Sequence, residues 1–389
     1  MSFRDDMFAV ARREMRIIRR RPLYLIGSVG VLAFSVIFFL TFFRAGLPDD
    51  LPIGVVDCDL SSTSREFARQ LDATQLGKVV RYDTFAAARE DMTRGKITSV
   101  VVLPEGMNDA LQSSRQPRIT FYLNSLYFIG GALAYKNILT MANLANGAVQ
   151  RKIYRLRGYD DAQIMGLIQP VEIDTHQIGN VYTNYGFYLN NIFLPGILEM
   201  IVIIVLIYSL GAELKYGTSR HLLKTAGDSI LNALAGKLLV WTLLFLALGL
   251  VLVLVLYHWM RYPLAGSIWN MFLAIVLLVV SSEAVAIFIL GLFPVPRLAL
   301  SLGALYSVLS FSLAGFTLPV EVMPPFIQGF AAVFPLRHYY LFFVQESLFG
   351  SGMAGWWQEA AHLLLFLFLP LAVLYRLKRA YIFQNYPKD

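Results

Sequence analysis

Two acidic residues interrupt runs that are otherwise apolar. Glu199 lies within Leu189–Gly211 and Glu283 within Ile268–Leu292, and each run is long enough to cross a bilayer as a helix. An ionisable side chain at such a depth needs a cavity or a polar partner. We therefore predict that the two carboxyl groups line a path that favours a molecule of cationic character. The alternative is that each group only packs helices through a neighbouring hydroxyl, such as that of Ser282.

A second informative stretch is Ala212–Leu239, AELKYGTSRHLLKTAGDSILNALAGKLL, which is polar and basic between two apolar runs. Each charge would cost about 2.5–3.5 kcal/mol at the bilayer centre, so the stretch cannot lie in hydrocarbon. It must be a loop against one membrane surface, where a partner protein can contact it. Glu213 ends the preceding run, and Gly217-Thr218 follow one turn later. From there an amphipathic helix is predicted to run into Gly236-Lys237.

Motifs of enzymatic chemistry are missing from the sequence. Gly236-Lys237 lacks both the upstream glycine and the following Ser or Thr of a nucleotide-binding loop. No serine-hydrolase or zinc-protease motif occurs, and the five histidines have no ligand spacing. The single cysteine, Cys58, excludes an intrachain disulfide. We predict that the chain is not an enzyme, holds no metal and binds no cofactor.

The composition indicates a polytopic membrane protein. The chain is 57% hydrophobic and 15% charged, against about 25% charged residues in soluble domains. The formal net charge is +7, yet residues 44–187 carry 15 basic and 15 acidic side chains. The basic excess lies in the N-terminal arm, the 212–239 stretch, Arg297 and the C-terminal tail. Basic residues beside spans mark the cytoplasmic side, so we expect these regions inside and no nucleic-acid partner.

Six apolar runs are predicted to be transmembrane helices, which places both termini in the cytoplasm. They are Leu23–Phe43, Leu189–Gly211, Leu238–Tyr257, Ile268–Leu292, Leu298–Leu318 and Trp356–Tyr375. The fold class is therefore a polytopic α-helical membrane protein, with an α/β domain inserted outside the cytoplasm between the first two helices. The third run is almost pure Leu, Val and Phe, which predicts lipid exposure. The cytoplasmic tail is predicted at 378–389.

Residues 1–22 are predicted to form a cytoplasmic amphipathic interface helix. Its apolar face is predicted from side chains at near-helical spacing: Phe3, Met7, Val10, Met15 and Ile18. The alternative is a basic anchor that only sets orientation. A signal peptide is disfavoured because the run at 23–43 is longer than the apolar core of such peptides.

Residues 44–187 are predicted to form the inserted α/β domain. Strand patterns at 51–59, 78–84, 97–104 and 117–125 alternate with helical patterns at 61–70, 85–95 and 105–114. A long helix is predicted over Ala132–Arg157, and VEIDTHQI predicts a strand leading back to the membrane. Asp57, Asp59 and Asn124 follow strands, where they either bind a ligand or make turns and caps.

The fifth run is rich in small residues, which lets helices approach closely and predicts a protein–protein seam. These residues are Ser301, Gly303, Ser307, Ser310, Ser312 and Gly315. We include Ser307 and Ser310 in the predicted substrate path. Residues 319–352 contain too much proline and charge to span, and they predict an outer hairpin of re-entrant or interfacial helices at Phe326–Phe334 and Tyr339–Phe349.

Four stretches carry a resemblance to a known family. They are AVARREMRIIRRRPLYL, PIGVVDCDLSSTSREFARQLDAT, AELKYGTSRHLL…GK and SLAGFTLPVEVMPPFIQGFAAVFPLRHYYLFFVQESLFG. Through them the chain resembles, over essentially its whole length, the permease subunits of type-2 ABC transporters with a large external domain. It is similar to bacterial multidrug-efflux permeases.

The resemblance implies that Glu213, Gly217 and Thr218 precede a short coupling helix that docks on an ATPase. The predicted ATPase-coupling residues, within a coupling loop at 212–237 and the N-terminal arm, are Glu213, Gly217, Thr218, Leu222, Leu223, Lys237, Arg12 and Glu14. The outer re-entrant hairpin is matched at Gly315, Pro319, Met323, Pro324 and Pro335. One departure is Lys224-Thr225-Ala226, since the family usually has proline after the Leu-Leu pair.

The resemblance also implies partners and a mechanism. Two ABC ATP-binding subunits, which hold the ATP and Mg, would drive a dimer of this chain with a second copy or a paralogue. A periplasmic membrane-fusion adaptor and membrane lipid are further expected partners, in the inner (cytoplasmic) membrane. The implied activity is export of a hydrophobic or amphiphilic, drug-like substrate by alternating access.

Three alternatives stay open. The same architecture could export lipid, polysaccharide or peptide. The chain could instead be a receptor or anchor with a ligand-binding outer domain. A secondary transporter would need inverted repeats, and the first three runs show no similarity to the last three.

Overall fold

The computed structural model describes residues 3–44, 46, 50–74, 77–113, 115–124, 128–170, 174, 176, 179–180 and 184–384. The chain divides into two compact units. We call Leu47–His176 the α/β unit, and Met1–Gly46 with Gln177–Asp389 the helical unit. The strand predicted at VEIDTHQI lies largely outside the described residues, as does the tail from 385 onward.

The α/β unit is built on a four-stranded sheet of order β2-β1-β3-β4. The strands are β1 (Leu51–Asp57), β2 (Gly77–Tyr82), β3 (Ser99–Leu103) and β4 (Thr120–Leu123). Strand β1 pairs in parallel with β2 and β3, while β4 runs antiparallel to β3. In this register Val55 lies opposite Arg81 on one side and Val101 on the other.

Helices cover both faces of this sheet, as the apolar sequences of its central strands require. On one face Ile53 and Val101 pack against Phe67 and Leu71, and on the other Val56 and Val100 pack around Ala88. The helices are α3 (Ser62–Asp72), α4 (Phe85–Thr93), α5 (Met107–Gln112), α6 (Phe128–Leu156) and α7 (Asp161–Ile168). Helix α7 has no counterpart in the sequence prediction, although Asp160 and Gln163 form a capping box at its start.

The polar residues after the strands make turns and caps. Asp57 accepts hydrogen bonds from the backbone N–H groups of Asp59 and Leu60 and from the Ser64 hydroxyl. Asp59 accepts from the backbone N–H of Asn108. Asp57 therefore stabilises the turn that follows β1, and Asp59 accepts from the first turn of α5, so both carboxyl groups serve as turn or cap acceptors.

Within the described residues, six helices of the helical unit are long and apolar enough to cross a membrane. They are α2 (Leu23–Phe42), α8 (Tyr185–Lys215), α10 (Ile230–Trp259), α11 (Ile268–Leu292), α12 (Pro296–Leu313) and α15 (Met353–Phe383). The shorter helices are α1 (Phe3–Arg20), α9 (Ser219–Thr225), α13 (Pro325–Ala331) and α14 (Pro335–Phe343). Helices α8 and α11 are the most buried and form the centre of the unit.

Several predicted boundaries were wrong for identifiable reasons. Helix α10 begins at Ile230, eight residues before the predicted third span, because Gly227 and Asp228 have positive φ angles of 64° and 58° and end the preceding helix. The 212–237 loop is therefore not one continuous amphipathic helix. Helix α12 stops at Leu313, just before Gly315, whose φ is +99°. Helix α15 continues to Phe383, beyond the predicted start of the tail.

The small residues of α12 pack against the chain's own α8. A Cβ added at Gly303 would lie 2.7 Å from Ile207 Cδ1, so the missing side chain lets the two helices lie close together. Ser307 and Ser310 are fully buried on the same side, whereas Leu305 and Val308 are exposed. Gly303, Ser307 and Ser310 therefore form a seam within one chain, whereas Ser301 and Ser312 are exposed. The seam with a second protein stays a prediction.

Candidate functional site

Helix α1 packs against the start of α10 through a narrow buried stripe. The stripe contains Asp6, Val10, Glu14 and Ile18, at four-residue spacing. A Cβ on Gly236 would lie 2.5 Å from Val10 Cβ and 2.6 Å from the Met7 carbonyl oxygen, so the two backbones nearly touch. The predicted apolar face was partly wrong, since Phe3 and Met15 are 56% and 45% exposed. They lie off this stripe.

Glu14 of this stripe belongs to a buried group of four charged side chains, which we call the charge cluster. Its members are Arg13, Glu14, Glu213 and Lys237. The Arg13 guanidinium donates two hydrogen bonds to Glu213, at 2.7 and 2.8 Å. Lys237 Nζ lies 2.6 Å from Glu14 Oε2 and 3.0 Å from Glu213 Oε1. Two cations and two anions therefore alternate, and the cluster has no net charge.

Neutral donors complete the coordination of the two carboxylates. Ser209 Oγ and Trp241 Nε1 donate to Glu14 Oε1 at 2.6 and 2.9 Å. The Thr218 hydroxyl donates to Glu213 Oε2 at 2.5 Å. With so many donors, the buried carboxylates keep few unsatisfied lone pairs, which is the condition for tolerating charge away from water.

Burial makes this pairing obligatory. Glu14, Glu213 and Lys237 are only 0%, 3% and 1% exposed. Burial also disfavours the charge of Arg13, but the hydrogen bonds and the charge of Glu213 outweigh it and raise the pKa of Arg13. The charge cluster thus joins a helix that precedes the first span to the ends of two long helices, α8 and α10.

The loop between α8 and α10 is also fixed to the end of the chain. Ser219 Oγ donates to the Tyr381 carbonyl oxygen at 2.8 Å, and Arg220 Nε donates to that of Ile382 at 2.9 Å. The Tyr381 hydroxyl donates in turn to the Leu210 carbonyl oxygen at 3.0 Å. Helix α9 is therefore held to α15 by side-chain hydrogen bonds.

The predicted ATPase-coupling residues fall into two groups. Leu222 and Leu223 are buried residues of α9, and Glu14, Glu213 and Lys237 belong to the charge cluster. These five residues cannot contact a partner directly in this conformation. Arg12 and Gly217 are exposed and Thr218 is half-buried. Arg13 was missed by the sequence analysis, although a glutamate on the apolar stripe of α1 signals a need for a nearby cation.

The carboxyl groups inside the spans are each bonded to a neighbouring helix. Glu199 accepts hydrogen bonds from Ser310 of α12 at 2.9 and 3.2 Å, and Glu283 accepts from Thr242 of α10 at 2.8 and 2.9 Å. Ser282, which was considered as a partner of Glu283, instead donates to the Leu278 carbonyl oxygen. Ser307 donates to the Gly303 carbonyl oxygen. Among these contacts, Ser310 is the one predicted path residue that meets a carboxyl group.

The predicted hairpin contains two short helices separated by prolines. Pro319 precedes a short 3-10 turn at Val320–Val322, Met323 and Pro324 precede α13, and Pro335 is the first residue of α14. The sequence analysis did not single out Glu346, which is 1% exposed and accepts from Ser267 N at 2.6 Å and Trp356 Nε1 at 2.9 Å. The sequence feature that could have identified Glu346 is an acidic residue within an otherwise apolar stretch.

Comparison with known proteins assigns the family. Residues 23–376 match the family described as ABC-2 family transporter protein. No curated protein matches the chain. The matched range includes five of the six long helices in full, the α9 loop and the hairpin, and the sixth helix as far as residue 376. The chain therefore belongs to the ABC-2 transporter family, as a multi-pass membrane permease that partners an ABC ATP-binding subunit.

Proposed function

We propose that this permease is part of an exporter that moves a hydrophobic or amphiphilic, drug-like molecule out of the cytoplasm or the inner leaflet. ATP hydrolysis in the partner subunits would drive alternating access between two copies of the chain. The observation that carries this proposal is the charge cluster, because it joins α1 to α8 and α10 through buried ion pairs. A force applied to α1 or to the α9 loop would therefore reach the long helices without being lost in flexible backbone.

The exposed side of the α9 loop is the proposed docking surface for the ATPase. Arg12, Gly217 and Lys224 are exposed there or on α1, whereas the residues beneath them are buried. Movement of the docked subunits would shift α9 together with α15, and α1 together with α10. Such rigid displacement of packed helices is a common way of switching between conformations.

A cavity near the hairpin supports the choice of substrate. It measures about 440 Å³ and lies among α11, α12, α14 and α15, with a mostly apolar lining that includes Val285, Phe288, Tyr306, His338 and Phe366. Ligand cavities of drug-like size are about 300–1,000 Å³ and similarly apolar. An amphiphile would bury its apolar part there.

A double-mutant cycle on the charge cluster tests the mechanism. In the purified permease–ATPase complex, Lys237→Met leaves two buried carboxylates with one cation. We expect substrate-stimulated ATP hydrolysis, and efflux of a fluorescent amphiphilic cation from cells, to fall about tenfold or more, since losing one partner of a buried pair costs about 3–5 kcal/mol. Glu14→Gln combined with Lys237→Met removes both partners and should recover part of the loss.

Lys136→Met, at an exposed lysine of α6, is the matched control and should behave as wild type. Assembly of each complex is checked by size-exclusion chromatography. Wild-type efflux and hydrolysis in an assembled Lys237→Met complex would contradict coupling through the cluster. Normal coupling without efflux of any amphiphile would contradict only the substrate class.

A further inference from the structure

A second cavity, of about 430 Å³, lies beside the charge cluster between α1, the end of α8 and the start of α10. Its wall contains five cationic side chains and one acidic side chain. They are Arg13, Arg16, Arg20, Arg21, Lys237 and Glu213. A cavity with this excess of positive charge favours an anionic ligand.

The charge excess is not cancelled within the chain. Arg13 and Lys237 are paired with the two glutamates of the charge cluster. By contrast, Arg16, Arg20 and Arg21 form no ion pair with any carboxylate in the described part of the chain. Three guanidinium groups therefore remain available at one cavity. Guanidinium groups bind phosphate in bidentate fashion, and that geometry adds to the simple attraction of charges.

The surroundings of the cavity indicate a ligand that is also apolar. Arg20 ends α1 and Leu23 begins the first span, so the cavity lies where a membrane helix starts. Tyr24 and Tyr216 also line it, and the Arg21 guanidinium lies 4.4 Å from the centre of the Tyr216 ring. Aromatic rings and basic residues at span ends are typical of the headgroup level of a bilayer.

Helix α2 continues from this cavity with an exposed apolar surface. Leu23, Ile26 and Phe34 are 58%, 61% and 70% exposed. A free phosphate ion would not use this surface, whereas acyl chains would lie along it. A single molecule that carries both a phosphate group and acyl chains would fit the cationic cavity and the apolar surface of α2 together.

We propose that this cavity binds the phosphate headgroup of an anionic phospholipid, whose acyl chains lie along α2. Arg16, Arg20 and Arg21 contact the headgroup. The bound lipid would fix the joint between α1 and the first span, next to the charge cluster. This inference does not depend on the exported substrate or on ATP hydrolysis.

Lipid binding to the full-length permease in neutral detergent tests the proposal. Thermal unfolding and native mass spectrometry are followed as phosphatidylglycerol, phosphatidylcholine or inorganic phosphate is added. We expect phosphatidylglycerol alone to stabilise the wild type and to stay bound. Arg16→Gln with Arg20→Gln should weaken that binding by about tenfold or more, given the attraction that each basic residue contributes near anionic lipid.

The control removes two other exposed arginines from the same helix, by Arg4→Gln with Arg19→Gln; neither residue lines the cavity. It should keep wild-type affinity within about twofold. Arg16→Lys with Arg20→Lys, which preserves charge and guards against misfolding, should bind more weakly than wild type and more tightly than the Gln pair. Equal loss in the Gln pair and the control would show general attraction and overturn the site. The site would also be overturned if inorganic phosphate stabilised the wild type as much as phosphatidylglycerol does. It would equally be overturned if the Gln pair bound lipid like wild type and lost only its assembly with the ATPase.

Discussion

Lys237 illustrates how a charged residue is accommodated in a helix that is otherwise apolar. It lies in the third turn of α10, and its ammonium group contacts carboxylates from α1 and α8. An isolated ammonium group there would require water or an anionic partner. Because its partners come from residues 14 and 213, the lysine is stable only when three separate helices are correctly packed. The residue thereby couples local electrostatics to the packing of the whole helical unit.

Gly236, the neighbour of Lys237, lies where the backbones of α1 and α10 approach each other closely. Replacing it by alanine adds a methyl group where Val10 and the Met7 backbone already stand within 2.7 Å of the added carbon. We expect Gly236→Ala to separate α1 from α10 and to lower the free energy of unfolding by about 1–3 kcal/mol. Thermal unfolding in detergent measures the change, and hydrogen exchange of α1 shows whether it is local.

Gly329→Ala is the control for that substitution. Gly329 also lies in a helix, but a Cβ there meets nothing within 4 Å. The control should be neutral or slightly stabilising, because alanine is favoured over glycine in helices by about 1 kcal/mol. If both variants lost the same stability, the close approach of α1 and α10 would not be the cause.

At the scale of elements, sequence patterns correctly predicted the segments whose determining contacts lie close in sequence. The strand patterns at 51–59 and 97–104 became β1 and β3, and the helix predicted at 61–70 is capped by Ser61, which accepts from Ser64 N at 3.1 Å. Hydrophobic alternation and capping depend on residues close in sequence. The strand order β2-β1-β3-β4 could not be predicted in this way, because parallel pairing depends on distant contacts.

The candidate site was predicted less completely for the same reason. Glu14, Glu213 and Lys237 were identified individually as coupling residues, but their mutual contacts bridge 24 to 223 positions in sequence. Arg13 was missed because its role depends on which face of α1 packs inward, and the mixed pattern of Phe3, Met7 and Met15 obscured that face. The sequence did carry a signal for the break at Gly227, because a Gly-Asp pair marks a turn and argues against an unbroken amphipathic helix.

The side chain of Asp91 connects helix α4 to strand β2, and we call this contact the joint between β2 and α4. Asp91 of α4 accepts hydrogen bonds from Lys96 and from the Tyr82 hydroxyl of β2, both at 2.9 Å. These bonds, with that from Lys96 the stronger influence, lower the pKa of Asp91. Because the folded state holds this proton less tightly than the unfolded chain, the contribution to stability is complete above the unfolded pKa of about 3.9 and is lost as pH falls through the lower, folded pKa.

Asp91→Asn should therefore reduce the free energy of unfolding at pH 6 by more than at pH 3. Urea unfolding of a fragment 47–176, followed by circular dichroism at both pH values, measures the difference. Asp83→Asn, at an exposed neighbouring aspartate, is the control and should show no such pH dependence. A difference between Asp91→Asn and wild type that stays constant across this range would mean that ionisation of Asp91 does not stabilise the joint.

At the scale of the whole molecule, α8 separates two regions of the chain. The α/β unit lies between the first and second spans in sequence, and the α9 loop, which is held to α15, follows the second span. Because α8 connects these regions in the chain, a transmembrane α8 predicts that they face opposite sides of the membrane. Basic residues flank the α9 loop, whereas the residues at 44–187 are balanced in charge. The positive-inside rule then predicts the loop in the cytoplasm and the α/β unit outside.

Two exposed positions allow that orientation to be measured. The chain has one cysteine, Cys58, which is exposed in the α/β unit, and Lys224 is exposed on α9. In spheroplasts, a membrane-impermeant maleimide should label wild-type Cys58. It should not label Lys224→Cys in a Cys58→Ser background until inside-out vesicles are used, because the loop then faces the reagent. Labelling of both positions from one side would mean that α8 does not cross the membrane. Labelling of Lys224→Cys in spheroplasts alone would place the loop beyond the reach of any cytoplasmic ATPase, and force could not enter the permease through α9.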